Sequence, residues 1–317
     1  MNQVVLITGA NGQLGTVLTQ SLQLKYGQEN VIASDLRPNA SFEGCFEVLD
    51  VTDVGRLEHV IRKYTINEVY HLAAILSANG EQNPLSTWEV NMKALLNVLE
   101  VSRKHGVSKV FYPSSIAVFG ESAPQNNTPN DVHLDPMTSY GLSKAAGENW
   151  AKYYFHKYGL DVRSLRYPGI IGYQSKPGGG TTDYAVEIFH KAVAGEPFTC
   201  FLDRETTLPM IYMDDAVRAT LELMEAPLEN IKVRTSYNIS GISFSPEQIT
   251  ASIREKYPEF EVEYAPDYRQ EIAAKWPKTI QDSEAMRDWS WRPQYDLSRI
   301  TNDMIDNLEG NLEILHN

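Results

Sequence analysis

The first half of the chain alternates short apolar runs with longer segments whose apolar residues recur at helical spacing. In one of the longer segments Leu14, Val17, Leu18 and Leu22 fall on a single helix face. The pattern predicts strands over residues 4–8, 30–34, 68–72, 109–113 and 161–165, and helices over 13–26, 91–105 and 139–158. Alternation at this spacing is typical of a parallel sheet with helices on both faces.

The alternation ends after residue 166, where residues 175–180 form a loop rich in turn-forming residues. Beyond this loop the pattern predicts a helix over about 182–194 and a strand over 211–213. Either Asp214 or Asp215 would cap the helix that follows that strand.

A further helix start and the composition of the C-terminal region indicate a second, smaller unit. Ser245 stands before a proline and three residues before Gln248, the spacing of a helix start with a capping box. About the last 70 residues are richer in Trp, Tyr and Pro and lack the strand–helix alternation. We predict an α/β domain over 1–167 that is rejoined by about 209–241, and a smaller lobe made of 168–208 and 242–317.

Composition narrows the class of protein. Of the 317 residues, 42% are hydrophobic and 22% are charged, as is usual in globular proteins. A net charge of −13 argues against nucleic-acid or anionic-membrane partners, because both need concentrated Lys and Arg. Cys45 and Cys200 are expected to be free thiols. Since the sequence has no run of roughly 20 apolar residues and no leader-like start, we expect a cytoplasmic protein.

Three glycines separate the first predicted strand from the first predicted helix. Gly9, Gly12 and Gly15 have the spacing G-x-x-G-x-x-G. In such a turn the first glycine permits the tight bend, the second lets backbone approach a pyrophosphate, and the third lets helix pack on strand. The helix N-terminus then offers N–H groups and a positive dipole to phosphates. We expect a dinucleotide to be bound by Gly9, Asn11, Gly12, Gln13, Leu14 and Gly15.

Asp35 ends the second predicted strand, 20 residues after Gly15. A carboxylate at this point bonds the adenosine ribose hydroxyls and repels a 2′-phosphate, so the sequence favours NAD over NADP. Arg37 keeps NADP as an alternative, and an ordinary loop aspartate is the other interpretation of Asp35.

Tyr140 and Lys144 lie one helical turn apart in the third predicted helix and therefore on the same face. A phenol is a poor base at neutral pH because its pKa is near 10. A nearby ammonium favours the phenolate, so we expect Lys144 to lower the pKa of Tyr140 and also to hold the nicotinamide ribose. The spacing alone is also common on an exposed helix face.

Two serines strengthen the catalytic interpretation of this pair. Ser114 and Ser115 follow the strand predicted to end at residue 113, at the edge where open parallel sheets bind ligands. A hydroxyl there can bond the substrate oxygen that Tyr140 deprotonates. Asn91, on the preceding helix, is expected to start the helix or organise backbone and not to react.

These motifs together resemble the extended short-chain dehydrogenase/reductase family, which includes the NAD-dependent epimerases and dehydratases. The resemblance covers nearly the whole chain, from the glycine loop through His71–Ala74 and Tyr140–Lys144 to Arg166–Gly169 and Asp215. It implies a Rossmann, doubly wound parallel sheet with a C-terminal substrate-binding lobe, and Ser115 as the catalytic serine. It also implies cofactor contacts from Asp35, Leu36, Asp50, Val51, Leu72, Ala73, Ala74, Asn91, Tyr140, Lys144, Tyr167 and Ile170. Many relatives form homodimers through the helices predicted over 91–105 and 139–158.

Within that family, residues 74–81 and 167–189 resemble the short-chain type of L-threonine 3-dehydrogenase. This implies NAD-dependent oxidation of the threonine 3-hydroxyl to 2-amino-3-ketobutyrate. Ser77, Thr181 and Thr182 would donate to the substrate carboxylate, beside Ser115 and Tyr140 at the reacting oxygen, and Asp183 would accept from the ammonium. Residues 181–183 are also typical of a helix N-cap. Gly178–Gly180 are either a lid hinge or a solvent-exposed loop.

Two other functions remain open. A nucleotide-sugar epimerase or dehydratase of the same family usually has Asn where this chain has Gly169, and Arg-Asp where it has Leu208 and Pro209. Loss of that Arg removes a charge-assisted contact to a diphosphate. A non-catalytic NAD-binding protein would not need the full Ser-Tyr-Lys set. The sequence shows no ligand-spaced cluster of histidines and cysteines, so we expect no metal, and His71 is expected to be structural.

Overall fold

The computed structural model describes the backbone of residues 3–174, 176, 178 and 180–316, and the side chains of these except 78–79 and 311–316. The strands of the described chain are β1 (Val5–Thr8), β2 (Val31–Asp35), β3 (Cys45–Val48), β4 (Glu68–His71), β5 (Lys109–Ser115), β6 (Asp161–Tyr167), β7 (Gly169–Ile171), β8 (Phe198–Cys200), β9 (Leu208–Tyr212), β10 (Tyr237–Asn238), β11 (Ile242–Phe244) and β12 (Val262–Tyr264). Its helices are α1 (Gln13–Tyr26), α2 (Val54–Tyr64), α3 (Ser77–Gln82), α4 (Pro84–Lys104), α5 (Ser139–Tyr158), α6 (Tyr184–Val193), α7 (Met213–Glu225), α8 (Pro246–Arg254), α9 (Tyr268–Ala273), α10 (Ser283–Trp289) and α11 (Leu297–His316).

Seven strands form one parallel sheet in the order β10-β6-β5-β4-β1-β2-β3. The central strands are buried on both faces, which explains why they are nearly continuous apolar runs. In β1, Val5 and Ile7 join the core under α1, α7 and α10, while Leu6 joins the core under α2, α4 and α5. The predicted α/β Rossmann class is therefore confirmed.

A third core lies beneath the C-terminal lobe. It contains Tyr184 and Phe189 of α6, Phe244 of β11, Ile249 of α8 and Ile305 of α11. Two small sheets accompany it, β11-β9-β7 and β12-β8. Two strands come from the segment of about 209–241 that was predicted to rejoin the α/β domain. β10 joins the large sheet, whereas β9 pairs with β7 and β11. The division of the chain into 1–167 with 209–241 and 168–208 with 242–317 stays a prediction.

Several predicted elements have the expected bounds. α1 and α5 begin and end at the predicted residues. At the start of α8 the Ser245 hydroxyl accepts from Gln248 N at 3.4 Å, and Gln248 Oε1 accepts from Ser245 N at 2.9 Å. The predicted capping box is confirmed.

Other expected boundaries were wrong. α4 begins at Pro84 and not at residue 91, because a proline suits the first helical turn. Ser114 and Ser115 are the last residues of β5 and do not follow it, since their backbone stays paired with β6. Neither Asp214 nor Asp215 caps α7, because both lie inside its first turn and Tyr212 occupies the N-cap.

Four elements of the large sheet domain were missed altogether, namely β3, α2, α3 and β10. β3 is a half-exposed edge strand, and the charged α2 carries a glycine near its start, so neither has a continuous apolar run. No described helix is both long and apolar enough to cross a lipid bilayer.

Candidate active site

A cleft of about 430 Å³ opens at the carboxyl ends of the parallel strands, the edge where open α/β sheets bind ligands. The structure brings most of the predicted site residues to its wall: Gly9, Gly12, Gln13, Leu14, Gly15, Asp35, Leu36, Asp50, Val51, Leu72, Ala73, Ala74, Ser77, Ser115, Tyr140, Lys144, Tyr167, Ile170, Thr181, Thr182 and Asp183. Asn11 and Asn91, although predicted and described, do not line it.

The glycine loop enters the cleft at the start of α1. Gly9 has a φ of +75°, and a Cβ on it would lie 2.7 Å from Ala73 N, so a glycine is required. A Cβ on Gly15 would overlap the backbone of Gly9 and Ala10. At Gly12, by contrast, the nearest protein atom to an added Cβ would be Gly9 O at 3.3 Å. The protein itself therefore does not demand glycine at position 12, and the space beside it belongs to the cleft.

The N-terminus of α1 is available to an anion. Gly12 occupies the N-cap, and within the described part of the chain no side chain caps the helix and no acid lies in its first turn. Because the first N–H groups of a helix need partners from outside it, this end of α1 suits a phosphate.

Asp35 ends β2 at the rim of the cleft. Its Oδ2 accepts from Asn11 N at 3.1 Å and its Oδ1 from Arg37 N at 3.4 Å. The Asn11 side chain donates to Arg37 O at 3.0 Å and accepts from Asn39 Nδ2 at 3.0 Å. Asn11 therefore orders the loop around Asp35.

Asn91 organises backbone behind the cleft. Its Oδ1 accepts from Ile75 N at 2.8 Å, and its Nδ2 donates to Ile75 O at 3.1 Å and to Ser143 Oγ at 3.3 Å. These bonds fix the segment 72–77 that lines the cleft. These contacts fit the expectation that Asn91 organises backbone. Asn91 does not start a helix, because it lies inside α4.

Ser115, Tyr140 and Lys144 come together in the middle of the cleft. Thr138 caps α5, its hydroxyl accepting from Gly141 N at 3.0 Å, and this places Tyr140 in the first turn of the helix. Lys144 Nζ donates to Pro113 O at 2.7 Å and lies 5.5 Å from the centre of the Tyr140 ring. The Ser115 hydroxyl bonds the Tyr140 side chain and also accepts from Ala117 N at 3.2 Å.

Burial dominates the titration of this group. It raises the pKa of Tyr140 to about 12, an effect that the hydrogen bond from Ser115 partly offsets. Burial also lowers the pKa of Lys144 to about 7. In the ligand-free protein the pKa of Tyr140 therefore lies above its ordinary value because of burial, and the expected lowering of this pKa by Lys144 stays a prediction. The phenolate of Tyr140 and the ammonium of Lys144 therefore each need an opposite charge nearby.

The substrate side of the cleft holds an unpartnered polar atom. Thr181 is 1% exposed, and its hydroxyl has no hydrogen-bond partner within the described residues. Buried hydroxyls rarely stay unpaired, so this group suits a ligand. Asp183 stands at the N-cap position of α6, but its Oδ2 accepts from Gly180 N at 2.8 Å and caps no helical N–H group. Of the predicted loop 175–180, residues 175, 177 and 179 lie outside the described residues.

Sequence reasoning missed part of the wall. Trp276, buried in the C-terminal lobe, lines the cleft, as do Thr52, Val90 and Ile116. Trp276 lies beyond α9 in a segment without a motif, so only the fold could bring it here.

His71 is buried and pairs with Thr8 Oγ1 at 2.9 Å, and burial lowers its pKa to about 3. Over the described residues there is no group of three or more His, Cys, Asp and Glu side chains that could hold a metal ion.

A parallel Rossmann sheet with a glycine loop, a terminal acid on β2 and a Ser-Tyr-Lys set in one cleft defines a nucleotide-dependent oxidoreductase of the short-chain type. Comparison with known proteins gives the family. The sequence model of the NAD dependent epimerase/dehydratase family matches residues 5–240, and the chain belongs to that family. The resemblance to extended short-chain dehydrogenases/reductases is thereby confirmed.

Similar proteins cover the chain from end to end. A Staphylococcus saprophyticus protein described as an uncharacterized epimerase/dehydratase is 44% identical over 311 residues, 96% of this chain and 97% of the relative. The GalE-like L-threonine dehydrogenase of Cupriavidus necator, in its holo form, is 52% identical with a TM-score of 0.95, covering 96% and 99%. A monomeric L-threonine 3-dehydrogenase from a metagenome database is 47% identical with a TM-score of 0.95, covering 97% and 99%.

Proposed function

We propose that this enzyme oxidises the 3-hydroxyl of L-threonine with NAD to give 2-amino-3-ketobutyrate. The observation that carries the proposal is the placement of Ser115, Tyr140 and Lys144 in the same cleft as the unpartnered Thr181 hydroxyl and the Asp183 carboxylate. Identity of about half with L-threonine dehydrogenases over nearly full length supports the same substrate.

The residues of the cleft fit NAD. The uncapped start of α1 and the open space at Gly12 suit the pyrophosphate, and the Asp35 carboxylate suits the adenosine ribose hydroxyls. A 2′-phosphate would meet the Asp35 charge, which favours NAD over NADP. When bound, NAD supplies a cationic ring that accepts a hydride.

The side chains then divide the proton chemistry. Tyr140 takes the proton of the substrate hydroxyl, and Ser115 donates a hydrogen bond to the same oxygen as it becomes a carbonyl. Ser115 can do so because its Oγ accepts from Ala117 N and keeps its own proton for donation. A positive charge in the cleft lowers the pKa of Tyr140 from its value of about 12 and so permits the phenolate. Lys144, held by Pro113 O, adds to that charge when it is protonated.

The substrate's two charged groups are met from the C-terminal side. Thr181, Thr182 and Ser77 offer hydroxyls to the carboxylate, and Asp183 offers a carboxylate to the ammonium.

Cys45 and Cys200 are both free, which supports a reducing compartment and hence the cytoplasm.

Two features of the wall disfavour a nucleotide sugar. A Cβ on Gly169 would overlap Met210 Sδ and lie 2.7 Å from Thr182 Cβ, so the larger side chain usual in epimerases has no room. Leu208 is fully buried, and Lys144 is the single cation among the described residues of the cleft wall. A diphosphate would therefore lack the Arg that normally holds it.

A substrate panel tests the proposal. Absorbance at 340 nm is followed with L-threonine, L-serine and UDP-glucose, each with NAD and with NADP. We expect reduced cofactor from L-threonine at alkaline pH, at least about ten times faster with NAD than with NADP. No gain in absorbance with L-threonine, together with thermal stabilisation by UDP-glucose, would make the epimerase the better assignment. Tight NAD binding without turnover of any substrate would favour a binding protein.

A further inference from the structure

A buried ion pair lies directly behind the candidate active site. Glu148 of α5 is 0% exposed and Arg166 of β6 is 3% exposed. Arg166 donates through Nε to Glu148 Oε1 at 2.9 Å and through a terminal nitrogen to Oε2 at 2.7 Å. Such a two-bond, charge-assisted pair fixes both the distance and the orientation of its partners.

The pair connects several segments that are distant in sequence. Ser114 of β5 donates its hydroxyl proton to Glu148 Oε1 at 2.6 Å. The remaining terminal nitrogen of Arg166 donates to Asn130 O at 2.7 Å and to Asn238 Oδ1 at 3.1 Å. Glu148 and Arg166 therefore hold α5, β5, β6 and two further segments of backbone in one arrangement.

Each anchored residue adjoins a group of the cleft. Glu148 lies one helical turn after Lys144, Ser114 precedes Ser115, and Arg166 precedes Tyr167. A small slide of α5 along β5 would lengthen the bond from Lys144 Nζ to Pro113 O and move Tyr140 away from Ser115. Displacements of about 1 Å in such a group reduce catalysis by about a hundredfold.

We propose that Glu148 and Arg166 are positioning residues, which fix α5 against the end of β5 so that Tyr140 and Lys144 face Ser115. The inference rests on the proposed function, because it assigns these residues a part in the same reaction. The pair touches neither the cofactor nor the substrate, so its effect passes through Lys144 and Tyr140.

The same strand offers a matched control. Arg163, also in β6 and 2% exposed, bonds Asp161 through two nitrogens at 3.0 and 2.7 Å and donates to backbone carbonyls of residues 223, 224 and 226. This second pair is also buried, although Asp161 bonds Arg234 as well, and it lies at the opposite end of β6 from the cleft. Arg163→Lys therefore removes a buried two-bond pair between a guanidinium and a carboxylate without changing any contact to α5.

The experiment compares Arg166→Lys, Glu148→Gln and Ser114→Ala with Arg163→Lys. We expect Arg166→Lys and Arg163→Lys to lower the Tm of the protein by similar amounts, roughly 5–15 °C. Arg166→Lys and Glu148→Gln should lower kcat about 10- to 100-fold, while the Kd for NAD from a fluorescence titration changes less than about threefold. Ser114→Ala, which keeps the ion pair, should fold normally and lower kcat about threefold.

The pH profile separates positioning from stability. When Lys144 no longer faces Tyr140, the phenolate loses support, so the pKa read from the acid limb of kcat should rise by about half a unit or more. Arg163→Lys should leave that pKa and kcat unchanged. Equal kcat and equal pH profiles for the Arg166 and Arg163 variants would overturn the inference.

Failure of the proposed function gives a different result. If the unchanged protein does not oxidise L-threonine, crystal structures of the ligand-free variants decide the matter. The inference then requires the bond from Lys144 Nζ to Pro113 O to be lost in Arg166→Lys and kept in Arg163→Lys. Its retention in both variants counts against a positioning role.

Discussion

Tyr140 shows how burial and charge compete at a single residue. Burial raises its pKa, while the hydroxyl of Ser115 works in the opposite direction. A buried phenol that stays protonated in the ligand-free protein becomes a base only when positive charge enters the cleft. This arrangement would keep the base inactive until the cofactor is present.

Replacing Tyr140 by Phe should remove the base and keep the ring. We expect kcat with L-threonine to fall about 10²- to 10⁴-fold, because that is the usual contribution of a positioned general base. The Kd for NAD should change by less than about threefold. Tyr112→Phe is the matched control: Tyr112 is buried beneath Lys144 at 4.7 Å but does not line the cleft, so the change should leave kcat within about twofold. Equal losses in both variants would contradict the role of Tyr140.

Lys144 should make the stability of the ligand-free protein depend on pH. Burial lowers its pKa from 10.5 to about 7, so between these values the unfolded chain binds a proton that the folded chain does not. The free energy of unfolding therefore rises with pH from about 7 to 10.5, and the penalty is complete below pH 7. Lys144→Met should be more stable than the unchanged protein near pH 7, by roughly 2–4 kcal/mol, and this advantage should shrink toward pH 10.

Urea unfolding at pH 6.5, 8 and 9.5 checks the prediction about Lys144. Lys152→Met, on the exposed face of the same helix, should show the pH dependence of the unchanged protein. A constant difference between Lys144→Met and the unchanged protein across this range would mean that Lys144 is not held in a charge-disfavouring site.

At the scale of elements, the glycine loop separates folding from binding. Gly15→Ala should destabilise the protein by about 2–3 kcal/mol, because the new Cβ overlaps backbone. Gly12→Ala should keep its Tm within about 3 °C, because the nearest protein atom is 3.3 Å away and φ is −74°. It should nevertheless raise the Kd for NAD at least about tenfold, by filling the space beside the helix start. Thermal melts and NAD titrations measure both effects; a Gly12→Ala protein that binds NAD normally would show that this space is not used.

The elements that could be predicted were those with their own local signal. The apolar face of α1 and the capping box of Ser245 are encoded in short stretches of sequence. β3 is not, since an edge strand buries little apolar surface of its own, whereas Leu57, Val60 and Ile61 give α2 an apolar helical face that our prediction missed. The start of α7 was placed wrongly because β9 ends at Tyr212, and its pairing with β7 cannot be seen in the apolar periodicity.

The residues of the candidate site divide in the same way, into those with a local sequence signal and those without one. Gly9–Gly15, Asp35, Tyr140 and Lys144 could be found because each motif is contiguous or has a fixed spacing. Trp276 and the Glu148–Arg166 pair depend on segments that only folding brings together. The rise in the pKa of Tyr140 could not be predicted, because sequence shows which charges are near but not how much water is excluded.

At the scale of the whole molecule, α4 and α5 lie side by side and expose several large apolar side chains. Leu85 and Trp88 of α4 and Trp150, Tyr153 and Tyr158 of α5 are all exposed. Since large exposed apolar surfaces commonly mark interfaces, we propose a homodimer in which these two helices meet their counterparts. The alternative is a single chain, as in a 47%-identical L-threonine 3-dehydrogenase that is described as monomeric.

Analytical ultracentrifugation tests the dimer. We expect the mass of two chains at micromolar concentration, and the mass of one chain for Trp150→Glu with Tyr153→Glu, because two buried charges oppose association. Leu24→Glu on α1, equally apolar and 90% exposed but elsewhere on the surface, should remain a dimer. A single-chain mass for the unchanged protein would refute the assembly.

The cleft draws its proposed reacting groups and its proposed recognition groups from different parts of the chain. Ser115, Tyr140 and Lys144 belong to β5 and α5, whereas Thr181, Asp183 and Trp276 belong to segments packed on the third core. Substrate choice can therefore drift by changes in those segments while the hydride-transfer chemistry stays intact. For protein engineering this means that a library confined to residues 169–183 and the surroundings of Trp276 should yield dehydrogenases for other hydroxy amino acids without rebuilding the catalyst.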